Sequence, residues 1–236
     1  MNYALVTGSL KGIGLAIANE LFSRNYFIYM HYAFDDELDV IKTLPEYKYK
    51  LIKADLSDSA GSSVITEIIR KDGIMLDCII LNAGMTCRKP FGEVNYDDWN
   101  AVMNINVNSS FLLCQQLHSS TAEFGSIIII GSDMGIYPHA VSEVYSVSKA
   151  ASHMLAKSLV KDFADKKIRI NAIAPGFIDT EWQKEKPQWL REKIESKVAL
   201  KRFGTPEEVA NACIFVINNK YINGTVLQID GGYCFE

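Results

Sequence analysis

Several kinds of chemistry are thinly represented in this 236-residue chain. Its five cysteines, Cys78, Cys87, Cys114, Cys213 and Cys234, are scattered, odd in number and without any C-x-x-C spacing. That pattern argues against a disulfide framework or a zinc site, so no metal is expected, and it fits a reducing compartment. No block of basic residues stands out. Lys and Arg number 24 against 28 Asp and Glu, for a formal charge of -4, and the densest cluster, "KDFADKKIR", also holds two aspartates. Nucleic-acid binding is therefore unsupported. Long apolar runs are missing too: "SIIIIG" is far too short to cross a bilayer, and "MNYALVTGS" lacks the pattern of a signal peptide. A cytoplasmic protein without membrane contact is expected. No Pro/Gly-rich linker or shift of composition divides the chain, which predicts one domain over 1–236.

What is present is a regular alternation. Hydrophobic residues make up 48% and charged residues 22%, the balance of a soluble globular protein. Short β-branched runs ("YALVTG", "YFIYMHY", "YKLIKADL", "LDCIILNAG", "GSIIIIGS", "IRINAIAPG", "TVLQID") alternate with helical stretches. One such helix runs from about Tyr145 to Ala164. Another, "TPEEVANACIFVINN", opens with Thr205 as N-cap and Pro206 at its first position. Near-continuous apolar strands between helices predict an α/β fold with a parallel sheet of about seven strands covered on both faces. The charged segment at about 181–201 reads as a mobile helical insertion.

Two short stretches carry chemistry. In "TGSLKGIG", Gly8, Gly12 and Gly14 stand between the first strand and first helix in the order G-x-x-x-G-x-G. Glycines permit a tight turn and close backbone approach, and a helix N-terminus attracts a pyrophosphate. Any strand-to-helix turn can need glycine, however. In "EVYSVSKAAS", Tyr145 and Lys149 lie four residues apart, so phenol and ammonium share a helix face. By spacing alone, a surface ring packed on a lysine stem explains the pair equally well.

Together with seven further motifs in order, these stretches resemble the short-chain dehydrogenase/reductase family almost end to end. The seven are "ADLSD", "LNAGMT", "NINV", "GSDMG", "APGFIDT" and the closing pair "RFGTPEEVA" and "VLQIDGGY". The resemblance implies a single-domain Rossmann-type doubly wound sheet and a catalytic set of Asn106, Ser132, Tyr145 and Lys149. In that family the Tyr is the general acid toward the substrate carbonyl. An ordinary phenol titrates near ~10, and an ammonium one turn away is expected to lower that value. Lys149 would also hold the nicotinamide ribose, Ser132 the carbonyl, and Asn106 a water relaying protons from Lys149 to solvent. Cofactor contacts are implied for Gly8, Ser9, Lys11, Gly12, Ile13, Gly14, His31, Tyr32, Asp55, Leu56, Asn82, Ala83, Gly84, Tyr145, Lys149, Pro175, Gly176, Ile178 and Thr180. Asn82 is expected to satisfy backbone groups as well. His139 and His153 read as surface or helix-face residues and Cys87 as a small hydrophobe near the substrate mouth. Trp182, Pro187, Trp189 and Leu190 read either as packing or as a lid over an apolar chain.

The family's NAD-preferring members place an acid at the end of the second strand. Here that position is Tyr32, while Lys11 precedes Gly12, where a cation can pair with a 2′-phosphate and His31 can assist. NADPH is expected over NADH. Within the family the chain is most similar to 3-oxoacyl-[acyl-carrier-protein] reductases, which implies reduction of a 3-oxoacyl thioester. Of the two basic regions that dock the carrier protein in those enzymes, "SSTAEFGS" has lost its cations, and only Lys166, Lys167 and Arg169 remain. A reductase of a free small ketone or polyol is the alternative, and a non-catalytic NADPH-binding sensor or scaffold a distant one. The family pattern also implies a homotetramer, paired in part through the Tyr/Lys and "NINV" helices.

Overall fold

The hydrophobic pattern separates into seven strands that all join one parallel sheet in the computed structural model, which describes residues 1–138, 142–184 and 186–234. They are β1 (Asn2–Val6), β2 (Tyr26–Tyr32), β3 (Tyr49–Lys53), β4 (Leu76–Leu81), β5 (Thr121–Ile130), β6 (Arg169–Pro175) and β7 (Val226–Ile229). Their order across the sheet is β3-β2-β1-β4-β5-β6-β7. The chain therefore winds outward from β1 in one direction and from β4 in the other. Between those two neighbours lies the switch point where doubly wound sheets bind ligands.

Continuous apolar strands are needed because both faces are covered. Along β5, Ile128 and Ile130 enter one buried cluster while Ile127 and Ile129 enter the other. The first cluster includes Ile17 and Leu21 of α1 (Gly12–Ser23) and Val209, Cys213 and Val216 of α8 (Pro206–Asn218). The second takes Ile65 and Ile69 of α2 (Ser59–Asp72), Leu113 and Leu117 of α4 (Ser109–Leu117) and Ala156 of α5 (Glu143–Ser158).

Boundaries follow local chemistry. Thr205 caps α8 through a reciprocal box: its side chain accepts from the Glu208 N–H, and Glu208 accepts from the Thr205 N–H at 2.8 Å. The expected long helix before β5 is divided. α3 (Tyr96–Met103) passes through a π-helical turn at Asn104–Asn108 before α4 begins. The helix carrying Tyr145 starts at Glu143 and ends at Ser158, short of Ala164, after which the chain turns toward β6. "DDELDVIKTL" forms a 3₁₀ segment, Asp35–Thr43. The insertion at 181–201 holds α6 (Glu181–Lys184) and α7 (Gln188–Lys197). Buried Ile194 fixes α7, and Arg191 reaches the Asp179 carboxylate at 3.0 Å while its guanidinium lies 4.5 Å from the Phe203 ring centre.

Candidate active site

The strands' C-terminal ends open into a cleft of about 500 Å³. At one end the glycine turn brings Gly8, Lys11, Gly12 and Ile13 to its wall. Gly14 stands behind the turn: a Cβ there would lie 2.0 Å from the Gly8 carbonyl oxygen, so only glycine lets α1 start this close to β1. Ser9 is buried, with its N–H and its hydroxyl both donating to the His31 carbonyl at 3.0 and 3.1 Å. Neither Ser9 nor Gly14 reaches the cleft.

The second strand alters two expectations. Tyr32 packs into the first apolar cluster, and Ala33 and Phe34 line the cleft instead. Strand alternation turns neighbours to opposite faces, so the residue in line with the family pattern points away. His31 does line the cleft, but its Nδ1 accepts from the Gly8 N–H at 3.1 Å and its Nε2 faces the Ala54 carbonyl at 2.9 Å. Those partners hold the ring as the neutral Nε2–H tautomer, so the expected help toward a phosphate is not available from it. Asp35 is drawn outward to Lys53 at 2.5 Å. Further along, Asp55 and Leu56 line the wall, followed by Asn82, Ala83 and Gly84. Asn82 Nδ2 donates to the carbonyls of Thr7 and Gly8 at 3.0 and 2.9 Å, locking β4 to the glycine turn. Pro175, Gly176, Ile178 and Thr180 close the far side.

At the end of β5 the four expected catalytic residues gather. The Ser132 hydroxyl is hydrogen-bonded to the Tyr145 phenol and lies 3.1 Å from Asp133 Oδ1. Lys149 Nζ sits 5.6 Å from the Tyr145 ring centre and donates to the Ile130 carbonyl at 2.7 Å. Asn106, in the π-helical turn, clamps the loop after β4. Its Oδ1 accepts from the Met85 N–H at 2.9 Å, and its Nδ2 donates to the Met85 carbonyl and to Ser148 Oγ at 3.0 and 2.8 Å. Both ends of the amide that was expected to serve a relay water are thus engaged by protein.

The electrostatics differ from the expectation for Tyr145. Burial pushes the phenol up to about 12; the Ser132 hydrogen bond and Arg88 pull against that rise, and Asp133 adds to it. The Lys149 ammonium is not what sets the value. Burial instead lowers Lys149 to about 8. Asp133, also desolvated and facing Asp230, rises to about 6.

His153, expected on a surface or helix face, is buried behind the serine. Its Nε2 accepts from the Ser132 N–H at 3.3 Å, and burial, with Lys149 nearby, holds it down at about 4. A Cβ at Gly131 would lie 2.1 Å from that nitrogen, so glycine makes the space for the ring. His153 stands four residues after Lys149, and that spacing was the signal available for placing it inward. His139 lies outside the described residues. Of the insertion's aromatic residues, Trp182 lines the cleft, whereas Trp189 is 65% exposed and does not. Cys87 is half-buried and does not line the wall.

The remaining basic patch is committed within the fold. Arg169 is buried and donates to the carbonyls of Val216, Ile217 and Ile222. Lys166 donates to the carbonyls of His118 and Ser119, and Lys167 pairs with Glu123 at 2.8 Å.

Both the sequence and the fold are similar to those of known proteins. A family model described as Enoyl-(Acyl carrier protein) reductase matches residues 8–234. A 3-oxoacyl-[acyl-carrier-protein] reductase FabG from Aquifex aeolicus is 32% identical over 97% of this chain and 96% of its own. Glucose 1-dehydrogenase 2 from Bacillus subtilis is also 32% identical, over 97% of this chain and 93% of its own. Among solved structures, a blue fluorescent protein from a metagenomic library, in complex with NADPH, superposes with a TM-score of 0.91 at 29% identity, covering 98% of this chain and 97% of its own.

Proposed function

The chain belongs to the short-chain dehydrogenase/reductase family, and from that premise we propose that it is an NADPH-dependent oxidoreductase reducing a ketone to a secondary alcohol. One observation carries the reading: Ser132, Tyr145 and Lys149 meet at the strand end beside the switch point, with phenol and hydroxyl already hydrogen-bonded. The cleft suits a dinucleotide, because a Cβ at Gly8 would crowd the Ala83 backbone at 3.2 Å and close the approach to the start of α1. When bound, NADPH supplies the hydride. Ser132 Oγ and Tyr145 hold the substrate carbonyl oxygen. As that oxygen gains negative charge, the Tyr145 O–H bond breaks and a new O–H bond forms on the substrate. A phenol near 12 keeps its proton at neutral pH, as reduction requires. Lys149 then steadies the phenolate until solvent returns the proton.

NADPH preference rests on Lys11 at the cleft wall and on Ala33 and Phe34, rather than a carboxylate, at the end of β2. Lys11→Ala is expected to weaken NADPH binding roughly tenfold or more, as loss of a charge-assisted hydrogen bond does, while NADH binding hardly changes. Equal losses for both cofactors, measured by fluorescence titration, would overturn the preference.

For the substrate, the 3-oxoacyl thioester reading is supported by the reductase relatives. Carrier-protein docking receives less support, since Arg169 is buried and Lys166 is tied to backbone carbonyls. A free hydroxylated ketone is the second reading, favoured by the buried carboxyl of Asp133 in the cleft wall. NADPH oxidation with acetoacetyl-CoA and with small ketones tests the reaction. Tyr145→Phe is expected to lower kcat by about 10²–10⁴. A rate indifferent to Tyr145 would defeat the mechanism. We also propose self-association through the outer faces of α4 and α5, where Phe111, Val147 and Met154 are exposed.

A further inference from the structure

Asp133 is the one acid among the residues that gather at the end of β5, and it is 1% exposed. Its Oδ1 is engaged by the Ser132 hydroxyl at 3.1 Å, whereas its Oδ2 is buried without a hydrogen-bond partner and the residue lines the cleft. A desolvated carboxylate oxygen left without a donor is costly, and proteins keep few such atoms. The carboxyl takes hydrogen bonds from the Ser132 hydroxyl and the Met134 N–H. It also faces the Tyr145 phenol on α5 and, beyond β7, the Asp230 carboxylate and the Cys234 thiol, yet Oδ2 itself has no partner. Asp230 repels it, and Tyr145 is committed to Ser132.

We propose that Asp133 is a specificity-determining residue whose Oδ2 accepts a hydrogen bond from a hydroxyl on the carbon next to the reacting carbonyl. The substrate class is then a free hydroxyketone, with the corresponding vicinal diol in the reverse direction. This rests on the reading that Ser132 and Tyr145 hold the carbonyl oxygen. The two oxygens of one carboxylate are close neighbours, so a group bound at Oδ2 must sit beside whatever Ser132 binds. A vicinal hydroxyl meets that demand. A 3-oxoacyl thioester carries no hydroxyl on that carbon, and its nearest further oxygen, the thioester carbonyl one carbon on, is an acceptor that an ionised carboxylate repels. Gln183 also lines the cleft, and its Oε1 is likewise buried without a partner. An amide can turn to offer either end, so Asp133 carries the discrimination and Gln183 does not.

The test uses two ketones of matching size, hydroxyacetone and 2-butanone, with NADPH and the full chain, beside acetoacetyl-CoA. The wild type is expected to favour hydroxyacetone in kcat/KM by about tenfold to a hundredfold, the effect of a hydrogen bond to a charged group. Asp133→Val is expected to bring that ratio close to unity. Asp133→Asn, which retains the shape, should give an intermediate ratio. The wild-type preference should also fade as pH falls through about 6, where Asp133 gains its proton and is no longer an anion. A wild-type ratio near unity overturns the inference without need of any variant. So does a preference that survives Asp133→Val. Tyr145-dependent reduction of acetoacetyl-CoA with hydroxyacetone refused overturns the inference and leaves the reductase reading standing. Absence of Tyr145-dependent turnover of all three substrates sinks the reading beneath it as well.

Discussion

Lys149 shows how a single residue can trade stability for reactivity. Its ammonium is buried, and its partner is a carbonyl rather than a carboxylate. Burial therefore lowers it from 10.5 to about 8. In the unfolded chain the group holds its proton up to the higher value, so the buried charge opposes folding below about 8, and that penalty is relieved as pH rises from about 8 through 10.5. Lys149→Met is expected to abolish reduction yet melt at or above the wild-type Tm at pH 7, with the advantage shrinking across that alkaline window. Calorimetry on both proteins checks it, and a variant that melts well below wild type at pH 7 would show the ammonium to be stabilising. Reduction by the wild type is also expected to decline above about 8, as the ammonium beside the phenol is lost. At this scale Tyr145, Lys149, Ser132 and Asn106 were legible because short motifs in fixed order mark them. Asp133 and His153 were not, because their meaning lies in which partner they find or fail to find.

Among the elements, α8 follows most directly from its own residues. Thr205, Pro206 and Glu208 satisfy the first turn locally, and Arg202 and the Thr205 N–H hold the Glu208 carboxyl at about 2. A carboxylate lowered in the fold contributes stability above its ordinary 4.5, and that contribution is lost as pH falls from there toward 2. Thr205→Ala is expected to cost about 1 kcal/mol, a fall in Tm of roughly 2–4 °C for a chain of this length. An unchanged midpoint in urea would show that the cap contributes nothing to global stability. The region before β5 was less legible. The sequence reads there as a single long helical region, whereas a π-helical turn at Asn104–Asn108 interrupts it. Turns of that kind tend to mark functional sites, and here it carries Asn106, whose side chain bonds the loop after β4 and Ser148 of α5. Those partners come from other parts of the chain, so no local periodicity reports the break.

At the scale of the molecule, two apolar clusters lie on opposite faces of the sheet, and the cleft opens where the winding reverses. Phe111, Val147 and Met154 remain exposed on α4 and α5. If those faces pair copies of the chain, Val147→Asp is expected to lower the mass seen in sedimentation, by placing like charges in an apolar contact. A wild-type chain that sediments as a monomer would remove the proposal. The carrier-protein expectation also belongs to this scale. Lys166, Lys167 and Arg169 look like a basic patch in one dimension, but Arg169 turns inward to carbonyls of α8 and the loop after it, and Lys167 neutralises Glu123 across to β5.

By itself the sequence determined the seven strands, their common burial, the glycine turn and the order of the motifs. Each of these depends on neighbours in the chain: apolar runs long enough for a strand, helical spacing, caps, and glycines that no other residue can replace. Tertiary structure alone decided which side of β2 faces the cleft, so that His31 lines it while Tyr32, expected there, turns into the apolar cluster. It alone placed His153 behind the Ser132 amide and left Asp133 Oδ2 in the wall without a donor. Burial and hydrogen-bond satisfaction are properties of segments that meet in space, and those two quantities set the charge of the cleft.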